Sequence, residues 1–226
     1  MNNFYISYPG RLGNQLFLLY HIYNICDKID KIYAPFFESS LSYFKGEEKD
    51  VFCNEDFFES NKESFIEVGW EDQKVDSIEN IYDSKFDDLK LKEIYTYAIS
   101  NIINTFENKS LVAVHIRQGD YIDFCNGDLF FSINKYLEET QKNIKEWGLV
   151  NYKILLFSDI LLPKDLEGFI VSDITNNEAP IDLFLMGQCN YFIHTWSTFS
   201  LLAIKFSKSL EKFKNNKVLE KEKINE

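Results

Sequence analysis

Apolar residues along this chain fall into two rhythms, and their alternation predicts the fold. The segments LVAVHI at 111–116, YKILLFSD at 152–159 and the short run at 169–171 are nearly continuous in apolar side chains and end in polar turns. That is the pattern of strands covered on both faces of a parallel sheet. Residues 133–146 and 178–188 recur instead at helical spacing, the second opening near Ala179-Pro180, with proline at a tolerated first-turn position. At the N-terminus, FYISYPG reads as a strand closing in a Pro-Gly turn, after which Leu12, Leu16, Leu19, Tyr20 and Tyr23 mark a helix. Leu89, Leu91, Ile94, Tyr95, Ala98, Ile102 and Ile103 predict an amphipathic helix ending before Asn108, and the C-terminal part adds the apolar NYFIHT and the helix-like SLLAIKFSK. Residues 30–85 keep no period for long and predict only short strands and turns. Strands alternating with helices give an α/β protein with parallel sheets. At 226 residues the chain suits two half-size lobes, 1–105 and 106–226, joined at the helix near residue 100.

Charge and composition narrow the partners. A formal net charge of -12 argues against a nucleic-acid backbone, whose binding needs clustered Lys and Arg. An anionic ligand must therefore meet a local cationic spot. Most of the acid excess lies in residues 45–93, read as a solvated face or a variable insertion. Cys26, Cys53, Cys125 and Cys189 are far apart with no C-x-x-C pair, which disfavours a zinc site or a disulfide framework. With no basic leader and no long apolar run, the expected location is the cytoplasm. The closing KFKNNKVLEKEKINE reads as a fraying helix end, its lysines solvated or in weak contact with anionic lipid at the inner face of a membrane.

Three polar clusters sit at strand-to-helix turns. In the first, Gly10, Arg11, Gly13, Asn14 and Gln15 follow the opening strand; glycine permits close backbone approach to a ligand, and a helix N-terminus favours negative charge. The spacing is neither G-x-G-x-x-G nor a P-loop, and a glycine turn capped by Asn14 and Gln15 explains it equally well. In the second, HIRQGDY, His115 and Arg117 lie two apart and share a face if the strand persists. An arginine fork suits phosphate oxygens, although Arg117 paired with Asp120 is the plainer reading. The third cluster, Thr195 to Ser200, offers hydroxyls either as helix caps or as ligands of a pyrophosphate. Asp159, closing another buried strand, suits a ribose or base, or simply the next turn.

Taken in order, GRLGNQLF, HIRQGDY, LLFSD and DLFLMGQCNYFIHTWSTFS resemble the motifs of the α-1,2-fucosyltransferase family, glycosyltransferase family 11, from residue 10 to about 205. The resemblance implies a GT-B-like enzyme of two Rossmann-like lobes with a cleft between them, the first lobe on the acceptor side. It implies inverting transfer of L-fucose from GDP-fucose to a galactose-containing glycan or lipid-linked oligosaccharide, with no cofactor and no metal, in surface polysaccharide synthesis. By it, Arg117 contacts the β-phosphate of GDP. His115 and Asp159 lie near the nucleoside, Ser197, Thr198, Phe199 and Ser200 line the pyrophosphate, and Arg11, Gly13, Asn14 and Gln15 face the same cleft.

The sequence contains no D-x-D pair to hold a divalent cation against a diphosphate, so a metal-free reaction leaves charge stabilisation to Arg117 and helix amides. Inversion also calls for a proton acceptor, for which Asp120 is the first candidate, with Asp123 nearby. Three departures from the family pattern stand out: Gln118 where a second arginine is usual, Trp196 in place of an asparagine, and a short stretch between the first two motifs. They leave room for another nucleotide sugar on the same scaffold, or for a non-catalytic nucleotide-binding subunit.

Overall fold

The computed structural model describes residues 2–7, 11–26, 28–45, 51–68, 90–163, 166, 168–171, 178–207 and 216–220. The chain divides into two compact units, Met1–Tyr97 and Ala98–Glu226.

The first unit runs β1 (Asn3–Ile6), α1 (Leu12–Ile25), β2 (Lys31–Tyr33), α2 (Glu38–Leu41), β3 (Phe44–Lys45), α3 (Glu55–Asn61), β4 (Phe65–Val68) and β5 (Lys90–Leu91). The boundary between the units falls inside α4 (Glu93–Asn104). β1 lies between β2 and β4, parallel to both, with Phe4 opposite Ile32 and Ile66. Leu16, Leu18, Leu19 and Ile22 of α1 are fully enclosed. Their spread around the helix, rather than along one stripe, is what a buried crossover between parallel strands requires.

Two expectations change here. Leu91 is a strand residue paired with Phe44, and the helix begins only at Glu93; Leu89 lies outside the described residues. Buried strand positions two apart fit a helical count by accident, and periodicity alone cannot separate them. Within the acidic stretch, α3 starts on Asn54, whose side chain accepts from the Phe57 amide, and β4 joins the sheet. An Asn followed by two acids is a helix-start signal that the irregular apolar pattern concealed.

The second unit is a five-stranded, wholly parallel sheet in the order β10-β9-β6-β7-β8. Its elements are β6 (Ser110–Ile116), α5 (Ile133–Glu146), β7 (Tyr152–Ser158), β8 (Phe169–Val171), α6 (Ala179–Gln188), β9 (Tyr191–His194), α7 (Thr198–Lys205) and β10 (Asn216–Val218). The chain starts at the centre, adds β7 and β8 on one side, then returns to add β9 and β10 on the other. This doubly wound order reverses between β6 and β9, and such a switch point opens a crevice at the carboxyl ends of the strands. Residues Leu111–Ile116 are all buried. Val112, Val114 and Ile116 share a cluster with Phe131, Tyr136 and Ile144, so alternation turns His115 to the opposite face, away from α5.

The C-terminal helix expectation is corrected by β10, which pairs parallel with β9 through Asn216–Val218. Leu219 follows it into the interior, and its amide donates to the His194 carbonyl at 2.7 Å. One apolar pair among lysines is too short a signal to announce a strand, which gains its place from the free edge of β9. The rest of the tail lies outside the described residues. No helix among the described residues is long and apolar enough to cross a membrane.

Candidate active site

β6 ends at Ile116, so strand alternation does not carry on to Arg117. His115 turns toward α7, whereas the Arg117 side chain reaches the end of β7. There Nη1 donates to Asp159 Oδ2 at 2.7 Å and Nη2 donates to Asp120 Oδ1, also at 2.7 Å. The two partners differ in setting. Asp159 is 10% exposed and Asp120 is 55% exposed, against 13% for the arginine itself. The other oxygen of Asp159 accepts from the Gln118 amide at 2.9 Å, so this carboxylate fastens both the side chain and the backbone of the turn. Gln118 Nε2 donates to the Phe131 carbonyl, which ties the loop to the start of α5.

Sequence reasoning missed two tyrosines around this arginine. Tyr136 of α5 accepts from the Arg117 amide, and Tyr121 lies under the guanidinium, with Cζ 5.0 Å from the ring centroid. Burial pushes the Tyr121 phenol up, against the pull of Arg117. Its hydroxyl donates to the Trp196 carbonyl at 2.6 Å, linking the turn after β6 to the turn after β9. A Tyr four places after an Arg in a tight turn was the available sign.

On the other side of the switch point, Ser197 caps α7 by accepting from the Ser200 amide, and its hydroxyl donates to Ser200 Oγ at 2.8 Å. Ser200 Oγ lies 2.7 Å from His115 Nδ1. The chain of hydrogen bonds is consistent when Ser200 donates to Nδ1, which leaves the ring proton on Nε2 as a donor. Burial foremost, with Arg117 and His194 adding to it, holds the His115 pKa down to about 3, so the imidazole is neutral at physiological pH. His194, its partner across the ladder, is likewise held low by burial and donates from Nδ1 to the Thr195 carbonyl. The Phe199 ring lies 5.3 Å from the His115 ring, and Thr198 and Phe199 are half-buried at the first turn of α7. His115, Arg117, Asp120, Asp159 and Ser197–Ser200 thus gather at the ends of β6, β7 and β9.

The remaining predicted residues belong to the first unit. Arg11 is exposed at the N-cap of α1 and makes no side-chain cap, while Gly13 is buried, Asn14 half-buried and Gln15 fully enclosed. Asn14 and Gln15 are helical, so the capped-turn reading gives way to a helix starting at Leu12; Gly10 lies outside the described residues. This unit also holds a cavity of about 300 Å³ at the carboxyl end of β2, lined by Tyr33, Leu41, Phe52 and Cys53 among others. Among the described residues, no group of three or more His, Cys, Asp or Glu could hold a metal ion.

The sequence profile of glycosyl transferase family 11 matches residues 73–209, more than half of the chain and every loop of the second-unit site. The chain belongs to glycosyl transferase family 11. No curated protein matches it by sequence. Among solved structures, the α-1,6-fucosyltransferase NodZ soaked with GDP-fucose aligns at a TM-score of 0.53 and 14% identity, over 91% of this chain and 93% of that one. NodZ from Bradyrhizobium gives 0.54 at 13%, over 90% and 92%. POFUT1 in its apo form gives 0.54 at 12%, over 97% and 98%. At such identities the likeness establishes an α/β fold with parallel sheets, as in these GT-B-like enzymes, while membership in family 11 makes the chain a glycosyltransferase.

Proposed function

We propose that this family 11 member transfers L-fucose from GDP-fucose to the 2-hydroxyl of a galactose unit in a glycan or lipid-linked oligosaccharide, with inversion and without a divalent cation. The observation that carries this reading is Arg117, fixed by Asp159 next to the switch point of a doubly wound sheet, with a neutral histidine and a hydroxyl-lined helix start on the other side of it. Crystals of NodZ soaked with GDP-fucose, on the same fold, support the choice of donor.

In this reaction the acceptor oxygen attacks the anomeric carbon as the bond from that carbon to the β-phosphate oxygen breaks, and the electron pair leaves with GDP. Negative charge grows on the departing phosphate, where Arg117 and the first-turn amides of α7 meet it without needing to reorganise. The guanidinium is held by two carboxylates through two of its five N–H groups, and a phosphate arrives as a third anion beside them. The exposed Asp120 is the partner that yields, because Asp159 is also bound by the Gln118 amide. Once displaced, Asp120 accepts the proton of the acceptor hydroxyl. His115 Nε2–H and Asp159 serve the nucleoside. Ser197, Thr198 and Phe199 line the pyrophosphate, and Ser200 acts through His115.

The test is incubation with GDP-fucose and lactose in the presence of EDTA. Release of GDP with a fucose on the galactose 2-hydroxyl is the expected result. Transfer from GDP-mannose or a UDP-sugar instead would reassign the donor, and thermal stabilisation by GDP without any turnover would make the chain a binding subunit.

A further inference from the structure

The turn after β6 carries a second feature that neither the arginine nor the phosphate-lining helix uses. Residues 118–134 contain Asp120, Asp123 and Asp128 and no Lys or Arg. Two 3-10 turns, Gly119–Ile122 and Phe124–Gly127, fold this stretch so that Ile122 and Phe124 stand out, 59% and 51% exposed. Gly127 makes the second turn possible with φ of 74°, where an added Cβ would also meet the Ile122 carbonyl at 3.1 Å. Trp196 stands out as well, 38% exposed, and the Tyr121 hydroxyl pins its carbonyl to this same loop. Phe124 stacks on Tyr121 with centroids 5.5 Å apart, and Tyr121 underlies Arg117. Contacts therefore run from Arg117 through Tyr121 to the exposed Phe124 ring, and through the Trp196 carbonyl to the turn after β9, with the exposed Ile122 and the carboxylates Asp123 and Asp128 in the same loop.

We infer that Trp196, Phe124 and Ile122, with Asp123 and Asp128 of the same loop, form the shelf that receives the acceptor's sugar ring and selects an uncharged one. This rests on the transferase reading above. The acceptor oxygen must come within about 3–3.5 Å of the donor carbon, so part of the acceptor's contacts must come from residues beside Arg117. A pyranose has apolar C–H faces that lie on aromatic rings and a hydroxyl edge that carboxylates bind, which is the composition found here. The same carboxylates repel a uronate or a sulfated ring, giving discrimination by like charge. They also disfavour an anionic lipid surface as the occupant of the exposed apolar patch.

The experiment compares wild type with Trp196→Ala, Phe124→Ala, Trp196→Phe and the double variant Asp123→Asn/Asp128→Asn. Methyl β-galactopyranoside and its 6-sulfate serve as acceptors and GDP as the donor-site probe. Both alanine variants should raise the acceptor KM about tenfold with GDP affinity unchanged, Trp196→Phe should recover most of the loss, and the double variant should narrow the preference for the unsulfated ring. An unchanged acceptor KM, or GDP affinity falling in parallel, overturns the shelf. So does Trp196-dependent sedimentation with phosphatidylglycerol vesicles. Saturation-transfer NMR of methyl β-galactopyranoside on wild type and Trp196→Ala reads the shelf without turnover. An inert wild type that still contacts the galactoside through Trp196 would refute the transferase reading and leave the shelf standing.

Discussion

Arg117 and Asp159 meet at 2.7 Å across the ends of two neighbouring parallel strands, and the carboxylate sets where the guanidinium points. Replacing Arg117 by Ala should lower the rate of transfer by about 10²–10³, the cost of losing one preorganised donor to a charged transition state. Arg117→Lys should fall nearly as far, because lysine keeps the charge but loses the fork that spans Asp159 and a phosphate. Measured kcat/KM for transfer from GDP-fucose decides it. Near wild-type turnover by the lysine variant would remove Arg117 from its proposed role.

The two carboxylates on Arg117 should separate in their effects. Asp159→Ala leaves a largely enclosed guanidinium and the Gln118 amide without their inner partner, and should cost about 3 kcal/mol, the low end for breaking a buried pair because Asp120 remains. Asp120→Ala removes an exposed partner and should cost less than about 1 kcal/mol while suppressing transfer. Urea unfolding supplies the first comparison and initial rates the second. Equal losses of stability would mean that the buried and exposed positions are not distinct.

Acid should weaken the second unit through its two buried histidines. The pKa of His115 is about 3 in the folded chain against 6.5 for an ordinary histidine, so the unfolded state binds the proton more readily. Its contribution to stability is complete above pH 6.5 and is lost as the pH falls toward 3. By pH 5 the loss from this residue is about 2 kcal/mol, and His194 acts in the same direction. Unfolding free energies at pH 7.5 and pH 5 measure it. His115→Asn should be less stable at neutral pH but show a shallower decline, and an identical decline would assign the effect elsewhere.

The second unit was readable because its strands are covered on both faces and therefore appear as unbroken apolar runs, with the polar residues at their ends marking the crevice. Arg117, Asp120, Asp159 and the Ser197–Ser200 turn all stand at such ends in the sequence. What the sequence could not convey was direction. Arg117 and His115 are two residues apart yet bond to different elements, because the strand stops between them. Tyr136 was hidden among helix-face residues, since nothing local says that its hydroxyl reaches back to the Arg117 amide. The first unit resisted for another reason. Its strands are two to four residues long, so their pairing partners, not their own patterns, make them strands.

The C-terminal strand gives the last prediction. Leu219 is 2% exposed within the cluster that includes Val112, Val114, Ile154 and Ile193, and its amide donates to the His194 carbonyl. Leu219→Ala should therefore cost about 2–4 kcal/mol through lost burial and a cavity beneath β9 and β6. The effect should reach the site, because β9 ends in His194 and leads directly into the Thr195–Ser197 turn that caps α7. GDP affinity at 25 °C should fall with the stability, and amide exchange should quicken along β9 before β7, which lies two strands farther from that edge. If Leu219→Ala unfolds at the same urea concentration as wild type, residues 216–219 do not complete the sheet.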